Sequence, residues 1–282
     1  MWNIIVQIFF VCTCHGALED FKMPVYGSSI TDAVVDIGHN FFMKVSSTIN
    51  IVHASSKKAD NEQFEDIINE VLYTFRDDVI VQIEDFSGIS SASEKMAHNI
   101  IFCDTYESFE NILLRMDPEI FEYQGFYLIV ITQQDDNLYG MMVKICNDLW
   151  SRYIVNANIL WAPAGNLREA MVYTYYPYTP MYCSKAFPVQ LNQMRNGEWV
   201  TNVDYFPNKM TNLFGCPLRA ATFSNPPFMI IRELNSYVEV DGIDGILLRV
   251  LAEKMNFNVQ LLLASDGWGD IYDNGTSTGC FN

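Results

Sequence analysis

The sequence is poor in the groups that most enzyme chemistry needs. It holds four His among 282 residues. No Cys-x-x-Cys pair accompanies them, so a tetrahedral zinc site has no ligand set. No Gly-x-Gly-x-x-Gly and no Gly-x-x-x-x-Gly-Lys-Ser/Thr follows any strand-like run, which removes the backbone cradles that hold nucleotide phosphates. No nucleophile–base motif is visible, and His39, His53 and His98 stand in unrelated contexts. Asp266, Asp270 and Asp273 do not have the alternate spacing and terminal Glu of a calcium loop. These absences predict no enzyme, no cofactor and no metal.

Positive charge is also scarce. Lys and Arg total 17 against 34 Asp and Glu, for a net charge of −17. Such a surface repels phosphate backbones and excludes nucleic acid as a partner. The acids are spread along the chain, which suits a solvated surface; a field that steers cationic ligands is the functional alternative.

Long hydrophobic runs are missing after the first residues. A spanning helix needs ~20 apolar residues, and the best internal run, Gly125 to Thr132, is strand-length. The apolar leader Trp2 to Cys12, followed by Cys14 and Gly16 before Ala17, reads as a secretory signal peptide over residues 1–16. A buried N-terminal strand is the other reading. With nothing to stop transfer, the expectation is either a secreted product or the first part of a longer membrane protein.

Cysteine is present seven times. Cys12 and Cys14 leave with the leader. Cys103, Cys146, Cys183 and Cys216 are disulfide candidates, and Cys280 is the candidate left unpaired. A buried free thiol is the alternative for any of them. Asn274-Gly275-Thr276 is a glycosylation sequon.

What is there is an alternation. Ser28 to Asn40 reads as a helix with Thr31 as N-cap. Strands are expected at 47–53, 79–83, 99–103, 125–132 and 153–161. Helices are expected at 61–75, 106–116 and 137–152, with a weaker one at 90–97. Phe64, Ile67, Ile68, Val71, Leu72 and Phe75 make the strongest apolar face. Alternating strands and helices predict a Rossmann-like parallel sheet covered on both sides. Such a sheet without phosphate glycines suggests a binding module, by fold analogy.

Residues 171–213 are rich in Tyr, Pro and Asn. Val172 to Tyr176 reads as an edge strand, because Pro177 and Pro180 follow. The tyrosines are either an aromatic binding surface or a half-packed closing segment. Phe206 to Leu213 reads as a linker. Beyond it, Leu218 to Phe223 is a strand, Asn225-Pro226-Pro227 ends it, and Phe228 to Ile231 resumes. Asp244 caps a helix whose face is Ile246, Leu247, Val250, Leu251 and Met255. Asn256 closes that helix and Asn258 to Leu263 returns as a parallel strand.

The order Leu218-x-Ala-Ala-Thr-Phe-x-x-Pro-Pro-Phe228, then Asp241-Gly-Ile-Asp-Gly-Ile-Leu-Leu-x-Val-Leu-Ala-Glu-Lys-Met-Asn-Phe257, resembles the start of the S1 segment of ionotropic glutamate receptors. With the upstream YTYYPYTPMYC, NGEW and FPNKMTNLFGC and the downstream DGWGDIYDNGTSTG, the chain is similar to the divergent insect ionotropic receptors, the chemosensory branch. The resemblance covers about residues 172–279; over 17–171 it rests on fold pattern and length.

It implies an amino-terminal α/β domain over 17–205 and a linker over 206–213. The start of a ligand-binding lobe of the periplasmic-binding-protein kind follows over 214–282. It implies clamshell closure on a small tastant or odorant, not necessarily glutamate, with Phe228 at the cleft. Other receptor subunits as partners and a place on the extracellular side of the plasma membrane follow from the same likeness. In the cleft Phe228 offers only a ring face; the alternative is a core Phe. A secreted small-molecule-binding protein of α/β fold is the second reading of the whole chain.

Overall fold

The computed structural model describes residues 29–55, 62–84, 95–132, 137–163, 169–234, 237–264, 267–272 and 274–281. The expected leader lies outside them. Helix α1 (Ser29–Ile37) buries Ile30, Ala33, Val34 and Ile37, one face at i, i+3, i+4 and i+7. Thr31 is not its N-cap. The helix already starts at Ser29, and Thr31 is buried in its first turn. The chain runs on into a π-helical turn, Gly38–Phe42, and a short α2 (Met43–Val45).

The alternation then unfolds as β1 (Thr48–Ala54), α3 (Glu62–Phe75), β2 (Ile80–Glu84), β3 (Met96–Cys103), α4 (Tyr106–Arg115), β4 (Phe121–Ile131), α5 (Leu138–Ser151) and β5 (Ala157–Trp161). Strands β6 (Glu169–Tyr175), β7 (Pro188–Arg195) and β8 (Glu198–Trp199) follow. Together the strands make one sheet in the order β2-β1-β3-β4-β5-β6-β7-β8. The first five are parallel and the last three add antiparallel. This is the mixed α/β architecture that the alternation predicts.

Both faces of the sheet are covered. Ile49, Ile51, Ile100, Phe102, Leu128, Val130 and Leu160 pack with α1 and α3. The opposite parity, Val52, Ile101, Cys103, Ile129, Ile131 and Ile159, packs with α4 and α5. Strands buried on both sides need near-continuous apolar runs, which is why GFYLIVIT was so legible. Gly125 in that run has a specific task. A Cβ there would lie 2.3 Å from the Ala97 carbonyl oxygen, so only glycine lets β3 and β4 approach.

Three expectations change. Met96 and Ala97 open β3 and are not helical; residues 90–94 of that expected helix lie outside the described residues. Strand β6 is not an edge. Its prolines fall just past its end, and β7 pairs along its free side from Glu169↔Arg195 to Tyr175↔Pro188. The segment 153–161 becomes strand only at Ala157, because Tyr153 sits at φ 58° and turns the chain out of α5.

Residues 206–213 do not hang free. Phe206, Lys209 and Leu213 are buried against the sheet domain. Beyond them β9 (Cys216–Thr222) pairs in parallel with β12 (Phe257–Leu263), from Cys216↔Phe257 to Thr222↔Leu263. Helix α6 (Gly242–Met255) crosses between them. Strands β10 (Ile230–Leu234) and β11 (Tyr237–Asp241) form a separate hairpin.

Asp244 is not the cap of α6. Asp241 takes the N-cap position without a side-chain bond, and Asp244 lies in the first turn. Asn256 closes the helix in the left-handed region at φ 52°, as its short polar side chain allows. The apolar face of α6 is solvent-facing: Ile246, Leu247, Val250 and Leu251 are all exposed.

Candidate ligand-binding site

Phe228 sits in the turn that ends with Met229 bonded back to Asn225. Its ring is about half exposed, at 49%. Its carbonyl accepts the Asp244 N–H at 2.9 Å, and the Pro227 carbonyl accepts that of Ile243 at 3.3 Å. These bonds satisfy two of the free amides at the start of α6. Gly242 makes them possible: at φ +81°, a Cβ would lie 2.5 Å from the Phe228 oxygen. The Phe228 backbone is therefore held at the start of α6, and its side chain is half exposed, not in a core.

In the sheet domain, chain order reverses between β1 and β3, the place where open α/β sheets bind ligands beyond their strand ends. Ser55, Asp104, Thr105, Ser108 and Thr132 stand there. The buried Asp104 carboxylate accepts from Ser55 Oγ at 3.1 Å, from Thr105 Oγ1 at 3.3 Å and from Ser108 Oγ. Thr105 caps α4 by accepting the Ser108 N–H at 3.2 Å. Nearby, Tyr106 donates to Asp148 at 2.7 Å, and that bond, with burial, pushes its hydroxyl up to about 12. These polar groups hold one another and shape the strand ends.

A cleft of about 350 Å³ lies elsewhere on this domain, between the π-helical turn and the segment after β8. Phe41, Trp199 and Tyr205 supply its aromatic surface, and Asn40, Lys44 and Asp204 supply polar groups. The volume falls within the range of small-molecule sites, and π-helical turns recur at functional positions. Phe41 is fixed from behind by Phe206, Phe126 and Phe42, at 4.4, 4.9 and 5.4 Å between ring centres. Trp199 packs edge-on to Tyr205 at 5.5 Å and donates its Nε1–H to Asp36 at 3.0 Å. Burial, and the Asp36 charge after it, push the Tyr205 hydroxyl up.

The sequence reading missed this cleft. Its two walls come from segments 163 residues apart at the Asp36–Trp199 bond. The signals were the Phe41-Phe42 pair and an isolated Trp in a polar stretch.

The segment 206–213 carries the most perturbed described cation. Lys209 Nζ donates to the carbonyls of Val155 at 2.8 Å and Ala157 at 3.3 Å. It lies 5.0 and 5.8 Å from the ring centres of Tyr175 and Tyr176. No carboxylate pairs with it among the described residues. Burial lowers its pKa from 10.5 to about 7, opposed by Cys146.

Of the cysteine candidates, Cys183 and Cys216 are joined in a disulfide that ties the closing segment of the sheet domain to β9. Cys103 and Cys146 are not bonded. They are buried free thiols, and burial raises both, Cys146 to about 12. Cys280 is a free, partly exposed thiol. Asn274 lies in an exposed turn, where its Oδ1 accepts from the Thr276 N–H at 3.0 Å and Oγ1 at 2.7 Å. No helix among the described residues is long and apolar enough to cross a membrane.

A comparison with curated proteins returns no match. A family model described as "Putative ionotropic receptor, ligand binding domain" matches residues 21–212. The matched stretch holds the eight-stranded sheet, the cleft and Lys209. It stops short of Phe228 and the lobe around it. It covers more than half of the chain, and it is a receptor family, with no known enzyme activity attached: the chain belongs to the ionotropic-receptor ligand-binding-domain family.

Proposed function

We propose that the chain is the extracellular N-terminal portion of a chemosensory ligand-gated cation channel of the divergent insect ionotropic-receptor type. In this reading residues 1–16 are a signal peptide, 17–205 an amino-terminal α/β domain, 206–213 a linker and 214–282 the start of the S1 lobe. A small tastant or odorant closes the clamshell, and Phe228 contributes a ring face to its cleft. Other ionotropic-receptor subunits complete a hetero-oligomer in the plasma membrane, and Asn274 carries an N-glycan outside the cell.

The observation that carries this reading is the family match over residues 21–212, joined to the ordered S1-like motifs after residue 214. The parallel pairing of β9 and β12 across α6 gives those motifs the βαβ geometry such a lobe needs. The disulfide from Cys183 to Cys216 supports an oxidising, extracellular setting.

The test is to read the transcript beyond the Asn282 codon and to express what it encodes. The expected outcome is a completed S1 segment followed by spanning helices of ~20 apolar residues, with ligand-evoked cation currents when candidate co-subunits are present. An in-frame stop, with product recovered from the medium, favours the secreted small-molecule-binding protein.

A further inference from the structure

The cleft between the π-helical turn and the segment after β8 has a chemical character of its own. Three rings reach it, Phe41, Trp199 and Tyr205. Aromatic faces carry negative potential and attract cations, Trp most strongly. The Trp199 Nε1–H is already committed to Asp36, so the indole cannot donate it to a ligand. Donation to a carboxylate also enriches the ring's electron density, which strengthens that face.

The charges around the cleft decide the sign of its ligand. Asp204 stands on the lining; its Oδ1 accepts the Phe206 N–H at 3.0 Å, and its second oxygen has no partner among the described residues. Asp36 stands behind Trp199. Lys44 is the one cation among the lining residues, and it has no ion pair among the described residues. On the lining one carboxylate stands against one ammonium, with a second carboxylate behind the indole, inside a chain of net charge −17 whose field concentrates cations and repels anions.

We propose that this cleft is a binding site for a small organic cation, an amine or quaternary ammonium. Its charged end lies over Trp199 and Tyr205 toward Asp204, and its apolar part lies against Phe41. The proposal deepens the ligand-binding reading of the matched domain by naming a site and a ligand class. It is measured on the protein itself, so failure of the channel reading leaves it standing.

The test uses the full chain labelled with ¹⁵N, observing the indole Nε1–H resonances. Trp199→Phe identifies the Trp199 signal. Tetramethylammonium chloride is titrated against sodium chloride at equal ionic strength, with sodium benzoate as the anionic arm. The expected result is a saturable shift of the Trp199 resonance with tetramethylammonium alone. Asp204→Asn keeps the Oδ1 acceptor for Phe206 and weakens binding about threefold, while Lys44→Met strengthens it by a similar factor. Both side chains are exposed, so both variants keep the fold. The proposal is overturned by a Trp199 shift that does not saturate or that sodium chloride reproduces. It is also overturned by saturable benzoate binding, or by variants that change affinity in the opposite sense or not at all.

Discussion

Lys209 offers the sharpest test of how the 206–213 segment packs on the sheet domain. Its ammonium is buried against Tyr175, Tyr176 and Cys146, with two backbone carbonyls and, among the described residues, no carboxylate as partners. Burial disfavours the charged form, and the native pKa falls from 10.5 to about 7. Between those values the unfolded chain binds a proton that the native chain does not, so stability rises with pH. The gain is fully present above the unfolded value and is lost as pH falls through the native one. From pH 6 to pH 9 it is worth roughly 2–3 kcal/mol, at 1.36 kcal/mol per pKa unit.

Lys209→Met removes the titration while keeping the stem volume. The two carbonyls keep other donors: Val155 O accepts the Ala157 N–H at 2.9 Å, and Ala157 O accepts Thr174 Oγ1 at 3.0 Å. The substitution therefore leaves no orphaned acceptor, unlike most truncations of a buried polar pair. Urea unfolding followed by Trp fluorescence at pH 6, 7.5 and 9 measures the effect. The variant is expected to be more stable than the parent at pH 6, with the difference shrinking by roughly 2–3 kcal/mol by pH 9. A difference that stays constant with pH, or that grows, refutes the reasoning.

Three further outcomes follow from the same structure. Cys183→Ala opens a disulfide spanning 33 positions and is expected to cost about 3.7 kcal/mol by chain entropy, read as a lower urea midpoint than the parent under non-reducing conditions. Maleimide labelling of the native chain is expected to modify Cys280 and spare the buried Cys103 and Cys146 until denaturant is added, counted by mass spectrometry; labelling of Cys103 without denaturant would contradict the sheet packing. Residues 214–282 expose the α6 face, and their buried member of the small cluster at β9, Cys216, packs with Leu213 and with Tyr178 of the sheet domain, both outside that range. A fragment holding them alone is expected to be digested by limited proteolysis under conditions that leave the intact chain's sheet domain uncut.

The elements that the sequence announced are those whose burial is strictly periodic. Ile67, Ile68, Val71 and Phe75 line one buried side of α3, and β4 is apolar on both faces, so pattern and environment agree there. Strand β7 was invisible because PVQLNQMR faces the core with Asn192 and Met194 and turns Val189 to solvent. Its place is set by pairing with β6 and by Asn192, which bonds Thr201 through both its oxygen and its nitrogen.

The buried Lys209 shows the same limit from the other side. A lysine in FPNKMTN reads as linker, because a charge is normally left in water. What fixes it inside is carbonyl geometry at the start of β5, 52 positions back in the chain, and no local pattern encodes that. The aromatic cleft is likewise a product of assembly: Phe41 is set by a π-helical turn and Trp199 by a hairpin end, and only the closed sheet brings them to one surface. The motifs after residue 214 behave differently. They are local, so their order can be read directly, and the structure turns them into a βαβ unit whose apolar helix face is exposed. The resemblance is thus read from local motifs after residue 214, whereas the family match lies over residues 21–212, where the aromatic cleft is built by long-range packing that no local pattern spells out.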